Sequence, residues 1–138
     1  MDRRDFTKKT LLTGCSLLTG SMLISSCTTT KSIQSQISEN NTIQIKLAEL
    51  SERNLLIVKI PELESSILLI KNNDEWKAVH MECTHIQCEL ALKKDLLVCP
   101  CHGSTFTTTG KVLTGPAHLD LPQLPTRLTD HFLEITFE

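Results

Sequence analysis

Tyrosine is missing from this chain of 138 residues, aromatics make up 4% of it, and a single tryptophan is present. Large rings supply much of the buried area of a small core. Without them, a small core benefits from a covalent or metal staple. An excess of charge is missing too: the formal net charge is -2 and the isoelectric point lies near 6.2. That balance gives no electrostatic footprint for a nucleic-acid partner, and this class is set aside. Long hydrophobic runs are also absent. The one apolar stretch, near the N-terminus, is too short and too polar to read as a membrane span. From position 42 onward, no stretch of ten residues carries a helical stripe.

What the chain does have is cysteine, six in all. Cys15 and Cys27 lie in the N-terminal apolar stretch, whereas Cys83, Cys88, Cys99 and Cys101 gather further on. They are read as two separate features.

The chain opens M-D-R-R-D-F-T-K-K and continues T-L-L-T-G-C-S-L-L-T-G-S-M-L-I-S-S-C. An apolar run behind a basic start is the pattern of a bacterial export signal and is kept out of the fold argument. Arg3, Arg4, Phe6 and Lys8 resemble the twin-arginine signal, with Thr7 where that pattern usually has Leu. Ile24, Ser25, Ser26 and Cys27 resemble a lipobox, which implies lipidation of Cys27 as the first residue of the mature chain. An uncleaved signal anchor with Cys27 as a bystander is the alternative. Either reading places the domain at a membrane, outside the cytoplasm. Residues 28–41 are polar and low in complexity, which predicts a flexible linker.

From Thr42 the pattern changes to short runs rich in Ile, Leu and Val, at I43-Q-I-K-L, L55-L-I-V-K-I, I67-L-L-I-K, W76-K-A-V-H-M and H131-F-L-E-I-T-F-E. Several alternate with period two between turn residues, which predicts an all-β domain over 42–138, an antiparallel sandwich or small barrel. Thr109, Gly110 and Lys111 predict a tight turn. Pro116, Pro122 and Pro125 exclude a central strand there and predict a stiffened loop. Its place directly after the second cysteine group suggests that it covers the site; a plain connecting loop is the alternative.

Two groups carry the chemistry: C83-T-H-I-Q-C88 and C99-P-C-H-G-S-T-F106. Thiolates and imidazoles offered as C-x-H and C-x-x-H make a soft S2N2 set, suited to tetrahedral zinc or to an iron–sulfur cluster. Spacing alone does not choose between these, although four Cys and two His exceed what one zinc requires. His80 and His131 fall on predicted strands as surface or packing residues, and His118, in the proline loop, is a weaker candidate for the site.

Together the two groups resemble the cluster-binding loops of Rieske proteins. The resemblance implies a cluster-binding subdomain of two loops holding one [2Fe–2S] cluster, with Cys83 and Cys99 on one iron and His85 and His102 on the other. It implies a disulfide between Cys88 and Cys101, which would persist in an exported protein. Thirteen residues separate His85 from Cys99, an interval on the short side for the family, so a tight hairpin is expected over 89–98. In the family, the Ser of C-H-G-S donates to a bridging sulfide and a Tyr two residues on donates to a ligating sulfur. Ser104 is present here, but the later position is Phe106. The implied potential lies below that of respiratory-complex Rieske proteins and above that of the disulfide-free ferredoxin type, within a family range of roughly -150 to +300 mV.

The function this implies is electron transfer by a domain tethered to the outer, periplasmic face of a bacterial inner membrane. Its partner would be a quinone or a redox protein such as a cytochrome b or c. Two alternatives are the Rieske subunit of a quinol-oxidising cytochrome bc-type complex and the small subunit of a molybdenum oxidase such as arsenite oxidase. An oxygenase would need a catalytic domain with its own mononuclear iron and is not expected at this length. The chain by itself is expected to carry electrons without turning over a substrate.

Overall fold

Period-two patterning resolves into strands in the protein, for which a computed structural model describes residues 31–51 and 53–137. The expected export signal and the lipidation site at Cys27 lie outside those residues. In chain order the strands are β1 Ser32–Gln34, β2 Thr42–Lys46, β3 Leu55–Lys59, β4 Ile67–Asn72, β5 Glu75–His80, β6 Ala91–Lys93, β7 Leu96–Val98, β8 Thr105–Thr107, β9 Val112–Thr114, β10 Gln123–Leu124, β11 Thr126–Leu128 and β12 Phe132–Thr136. One helical turn, α1, occupies Leu47–Leu50. The strands form three sheets, ordered β1-β3-β4-β5-β10, β11-β12-β2 and β6-β7-β8-β9. Every pairing is antiparallel except that of β1 with β3.

The first sheet is a middle layer, which explains why β4 begins as an unbroken apolar run. Successive strand residues point to opposite faces, and Ile67 and Leu69 enter one core while Leu68 enters another. The first core joins Leu56, Val58, Ile67, Leu69 and Ala78 to Ile43, Ile45, Leu133 and Ile135 of the β2–β12 pair. The second joins Leu68 and Val79 to Met81, Leu90, Leu97, Phe106, Ala117 and Leu121, and includes Cys83 and Cys99. The scarcity of aromatics is met by aliphatic packing and by Phe106, which is fully buried.

Short turns set the register. Asn73, with φ 57°, lies between the paired Asn72 and Glu75, and Lys94, with φ 54°, between the paired Lys93 and Leu96. Positive φ at the first loop position suits two-residue hairpins. The second is the tight hairpin expected over 89–98. Gly110, at φ 88°, occupies the predicted turn between β8 and β9.

Two expectations need correction. The segment 28–41 is not a linker throughout, because β1 pairs with β3 through Ser32, Ile33 and Gln34, and Ile33 and Ile37 pack against the first core. Its polar residues concealed an alternation in which positions 33, 35 and 37 turn inward. The strand expected through Leu47 stops at Lys46, where the chain turns into α1. The proline segment does form its predicted loop, and only its end, β10, reaches the sheet, as an edge strand beside β5.

Candidate metal centre

The β6–β9 sheet and both cysteine loops are inserted between β5 and β10, at one end of the middle sheet. Beyond β5, an isolated antiparallel bridge joins Glu82 to Glu89 and closes the loop 83–88. The loop 99–104 is closed in the same way by the pair Val98 and Thr105 of β7 and β8.

The two loops are near copies in their backbone bonding. Cys83 N–H donates to Cys88 O at 2.9 Å and Gln87 N–H to Cys83 O at 2.8 Å; Cys99 N–H donates to Ser104 O at 2.8 Å and Gly103 N–H to Cys99 O at 3.0 Å. Gln87 and Gly103, at φ 62° and 77°, occupy equivalent left-handed positions. Each loop thus turns its first Cys inward and leads its chain outward again.

The side chains separate accordingly. Cys83 and Cys99 are free thiols, 0% and 1% exposed. His85 and His102 are exposed, edge to face, with ring centroids 5.1 Å apart. Cys88 and Cys101 form the disulfide between the loops, and Cys88, Cys99 and Cys101 bring their sulfurs within 4.8 Å of one another. Disulfide sulfurs are not thiolates and are poor metal ligands, so this sulfur group is a staple packed against the thiol of Cys99. At Cys99, burial opposes ionisation, but the backbone N–H groups of His102 and Cys101 and a side-chain hydrogen bond with Cys83 outweigh it and hold the thiol below its ordinary value of 9.0.

The proline loop is fastened to both halves. Thr84 Oγ1 donates to Leu119 O at 2.7 Å, and Ala117 N–H donates to the buried Ser104 Oγ at 3.0 Å. Phe106 buries its ring in the second core, to which Cys83 and Cys99 also belong. Thr84, Ala117 and Leu119 escaped the sequence reading, since only the fold brings them together. His80 is half-buried, with Nε2 2.7 Å from Ser65 Oγ; His131 is exposed, edge to face with Phe132; and His118 is exposed in the proline loop.

Two buried thiols and two outward imidazoles on disulfide-tied loops, carried by a β-sheet scaffold, define a soft-metal-binding domain of mixed sulfur and nitrogen donors. The family model of the Rieske [2Fe–2S] domain matches residues 35–125, and the chain belongs to that family. Its cofactor is accordingly one [2Fe–2S] cluster, and the donor set fits such a group: two thiols and two imidazoles are free for it, while the remaining pair of cysteines is already joined.

Among relatives, the cytochrome b6-f complex iron-sulfur subunit of Chlorobaculum tepidum is 33% identical over 64 residues, which cover 45% of this chain and 35% of that one. The ubiquinol-cytochrome c reductase iron-sulfur subunit of Blastochloris viridis is 40% identical over 60 residues, covering 41% and 34%. The chain thus matches about a third of the length of these curated relatives. Among solved structures, the cyanobacterial plasma membrane Rieske protein PetC3 from Synechocystis PCC 6803 superposes with a TM-score of 0.53 at 33% identity, over 67% of this chain and 95% of that one. The match to a hyperthermophilic respiratory Complex III, TM-score 0.51 at 24% identity over 70% and 74% of the two chains, concerns the fold.

Proposed function

We propose that Cys83 and Cys99 ligate the inner iron of the cluster and His85 and His102 the outer one, and that the domain carries single electrons between partners at the outer face of a bacterial inner membrane. The observation that carries this reading is the polarity of the site, with both thiols buried and both imidazoles in solvent. A partner meeting the protein at His85 and His102 touches the ligand shell directly. The buried side is closed to water and to competing thiol chemistry.

When bound, the cluster supplies a one-electron couple, and imidazole ligands in place of two thiolates raise its potential above that of an all-Cys site. The residues of this chain do the rest. Cys99 is predisposed to the thiolate by the amide groups aimed at it. Ser104, whose oxygen already accepts from Ala117 N–H, retains its hydroxyl proton for a sulfur acceptor in the site. Phe106 lies in the core that holds the thiols and offers no donor, which favours a potential toward the lower part of the family range. The disulfide holds the two loops together.

The outer-face location is supported by the disulfide, which persists in oxidising compartments, and by the basic, apolar and Cys27-containing start of the chain. Partners of this kind are a quinone or a cytochrome b or c. Membership of a cytochrome bc-type complex is the second reading, favoured by the subunit identity of the two relatives above. The test is purification of the full chain from cells that assemble clusters, with iron and sulfide assays and EPR of the dithionite-reduced protein. Equal iron and sulfide and the lowered average g of a His-ligated cluster are expected. Zinc, or a folded chain without metal, overturns the assignment. Co-purification with a cytochrome b would support the second reading.

A further inference from the structure

The likeness between the two cysteine loops exposes one difference between them. Each is closed by an antiparallel pair whose hydrogen bonds fall on the neighbouring residues: Leu90 N–H to Met81 O and Cys83 N–H to Cys88 O flank Glu82 and Glu89, as Cys99 N–H to Ser104 O adjoins Val98 and Thr105. These are the non-hydrogen-bonded positions, where opposed side chains stand closest. Val98 and Thr105 suit such a place. Glu82 and Glu89 do not, because like charges directly opposite one another push a pair of strands apart. Moreover, the loop 99–104 grows from a four-stranded sheet, whereas the loop 83–88 is closed by this one bridge.

A second segment meets that neck from the side. Ser66 Oγ donates to Glu89 Oε1 at 2.6 Å, and Ser66 O accepts from Met81 N–H at 2.8 Å. Ser65 Oγ donates to Glu82 Oε2 at 3.4 Å and lies 2.7 Å from His80 Nε2. Ser65 Oγ thus stands between the Glu82 carboxylate and the His80 ring. Both serines are buried, 5% and 4% exposed, while the Glu89 carboxylate is exposed, so the charge-assisted bond at Ser66 is sheltered from water on the serine side.

The geometry points to Ser66, seconded by Ser65 and His80, as a positioning residue for the loop 83–88: it holds the Glu89 carboxylate away from Glu82 and thereby keeps Cys83 and His85 in register with Cys99 and His102. This rests on the reading of those four residues as cluster ligands. It assigns to residues outside both motifs the task that Val98 and Thr105 perform by composition in the other loop.

The test uses the full chain with its disulfide intact, and the loop 99–104 is the internal control. In Ser66→Ala, amide exchange at Cys83 and Gln87 should quicken by about tenfold, the loss of one such bond, while exchange at Cys99 and Gly103 stays as it was. EPR lines of the reduced protein should broaden as the His85 geometry spreads. Ser66→Thr should restore both readouts, and so should Glu89→Gln placed on Ser66→Ala, since no charge then needs holding. If Ser66→Ala does not fold, the double variant still should. Unchanged exchange at Cys83 and Gln87, equal quickening in both loops, or a double variant no better than Ser66→Ala would overturn the proposal. The exchange readout does not depend on iron, so a metal-free chain showing the loop-specific change would sink the ligand reading and leave the brace standing.

Discussion

Ser104→Ala is the perturbation with the sharpest consequences. The side chain is fully buried, and its oxygen accepts the Ala117 N–H at 3.0 Å, so its loss acts in two directions. Toward the proline loop, a buried amide is left without a partner, which costs about 1–3 kcal/mol. Toward the ligands, the hydroxyl proposed above to donate to a sulfur of the site, and so to favour the more negative, reduced state, is removed. A hydrogen bond to a charged group contributes about 1.5–3 kcal/mol, but it exists in both oxidation states and only the difference counts. If that difference is about 1 kcal/mol, the midpoint should fall by about 40 mV for a one-electron couple. A redox titration followed by EPR reads the midpoint, and amide exchange at Ala117 reads the freed loop. A midpoint within about 10 mV of the parent, in a variant whose Ala117 amide exchanges faster, would remove Ser104 from the groups that set the potential. The reverse result, a lowered midpoint with Ala117 still protected, would show that another acceptor holds the loop.

Other perturbations have equally definite outcomes. Replacing Cys88 and Cys101 together by Ala opens a cross-link of sequence separation 13, and chain entropy puts the loss near 3 kcal/mol; urea unfolding showing less than about 1 kcal/mol would mean that the cluster alone holds the loops. Phe106→Tyr adds a hydroxyl within the core that holds the buried thiols and should raise the midpoint, unless the ring turns away, which an unchanged titration would reveal. A Cβ at Gly110 meets Val79 Cγ1 at 3.2 Å and Leu121 Cβ at 3.3 Å with φ at +88°, whereas at Gly103, φ +77°, it meets nothing within 4 Å. Gly110→Ala should therefore destabilise more than Gly103→Ala, whose cost is the backbone term of about 1 kcal/mol; equal melting shifts would refute the packing argument. In the metal-free chain the lowered pKa of Cys99 contributes stability that is complete above its unfolded value of 9.0 and is lost as pH falls through the folded value. Unfolding free energy should rise with pH toward that limit, and Cys99→Ser should flatten the rise.

The loops and most of the strands were legible in the sequence because their signals are local. Residues 83–88 and 99–106 place every chemically active group within a few positions of another, and β2 to β5 are short runs rich in Ile, Leu and Val between turn residues, some alternating with period two. The Rieske resemblance supplied the disulfide pairing, which spacing alone leaves open. What escaped reading is held in place by distant partners. β1 consists of Ser, Ile and Gln and becomes a strand because β3 pairs with it and the first core offers Ile33 a surface. Ser65 and Ser66 look like turn residues after Pro61, and only the pairing of Ile67 with His80 brings them to the neck of the first loop. The ties from Thr84 to Leu119 and from Ser104 to Ala117 span 35 and 13 positions, beyond what a local pattern can encode.

The direction of β1 bears on how the domain is presented to its surroundings. β3 runs toward the end of the sheet where β5 leaves for the cysteine loops, since Val58 pairs with Ile67 and Ile67 with His80. β1 lies parallel to it, with Gln34 beside Lys59. The backbone therefore arrives at Ser32 already travelling toward His85 and His102, like a handle laid along a blade and pointing at its tip. A pull on the chain ahead of Lys31 would load the β1–β3 hydrogen bonds lengthwise, in shear, and would reach the histidine end only through the whole sheet.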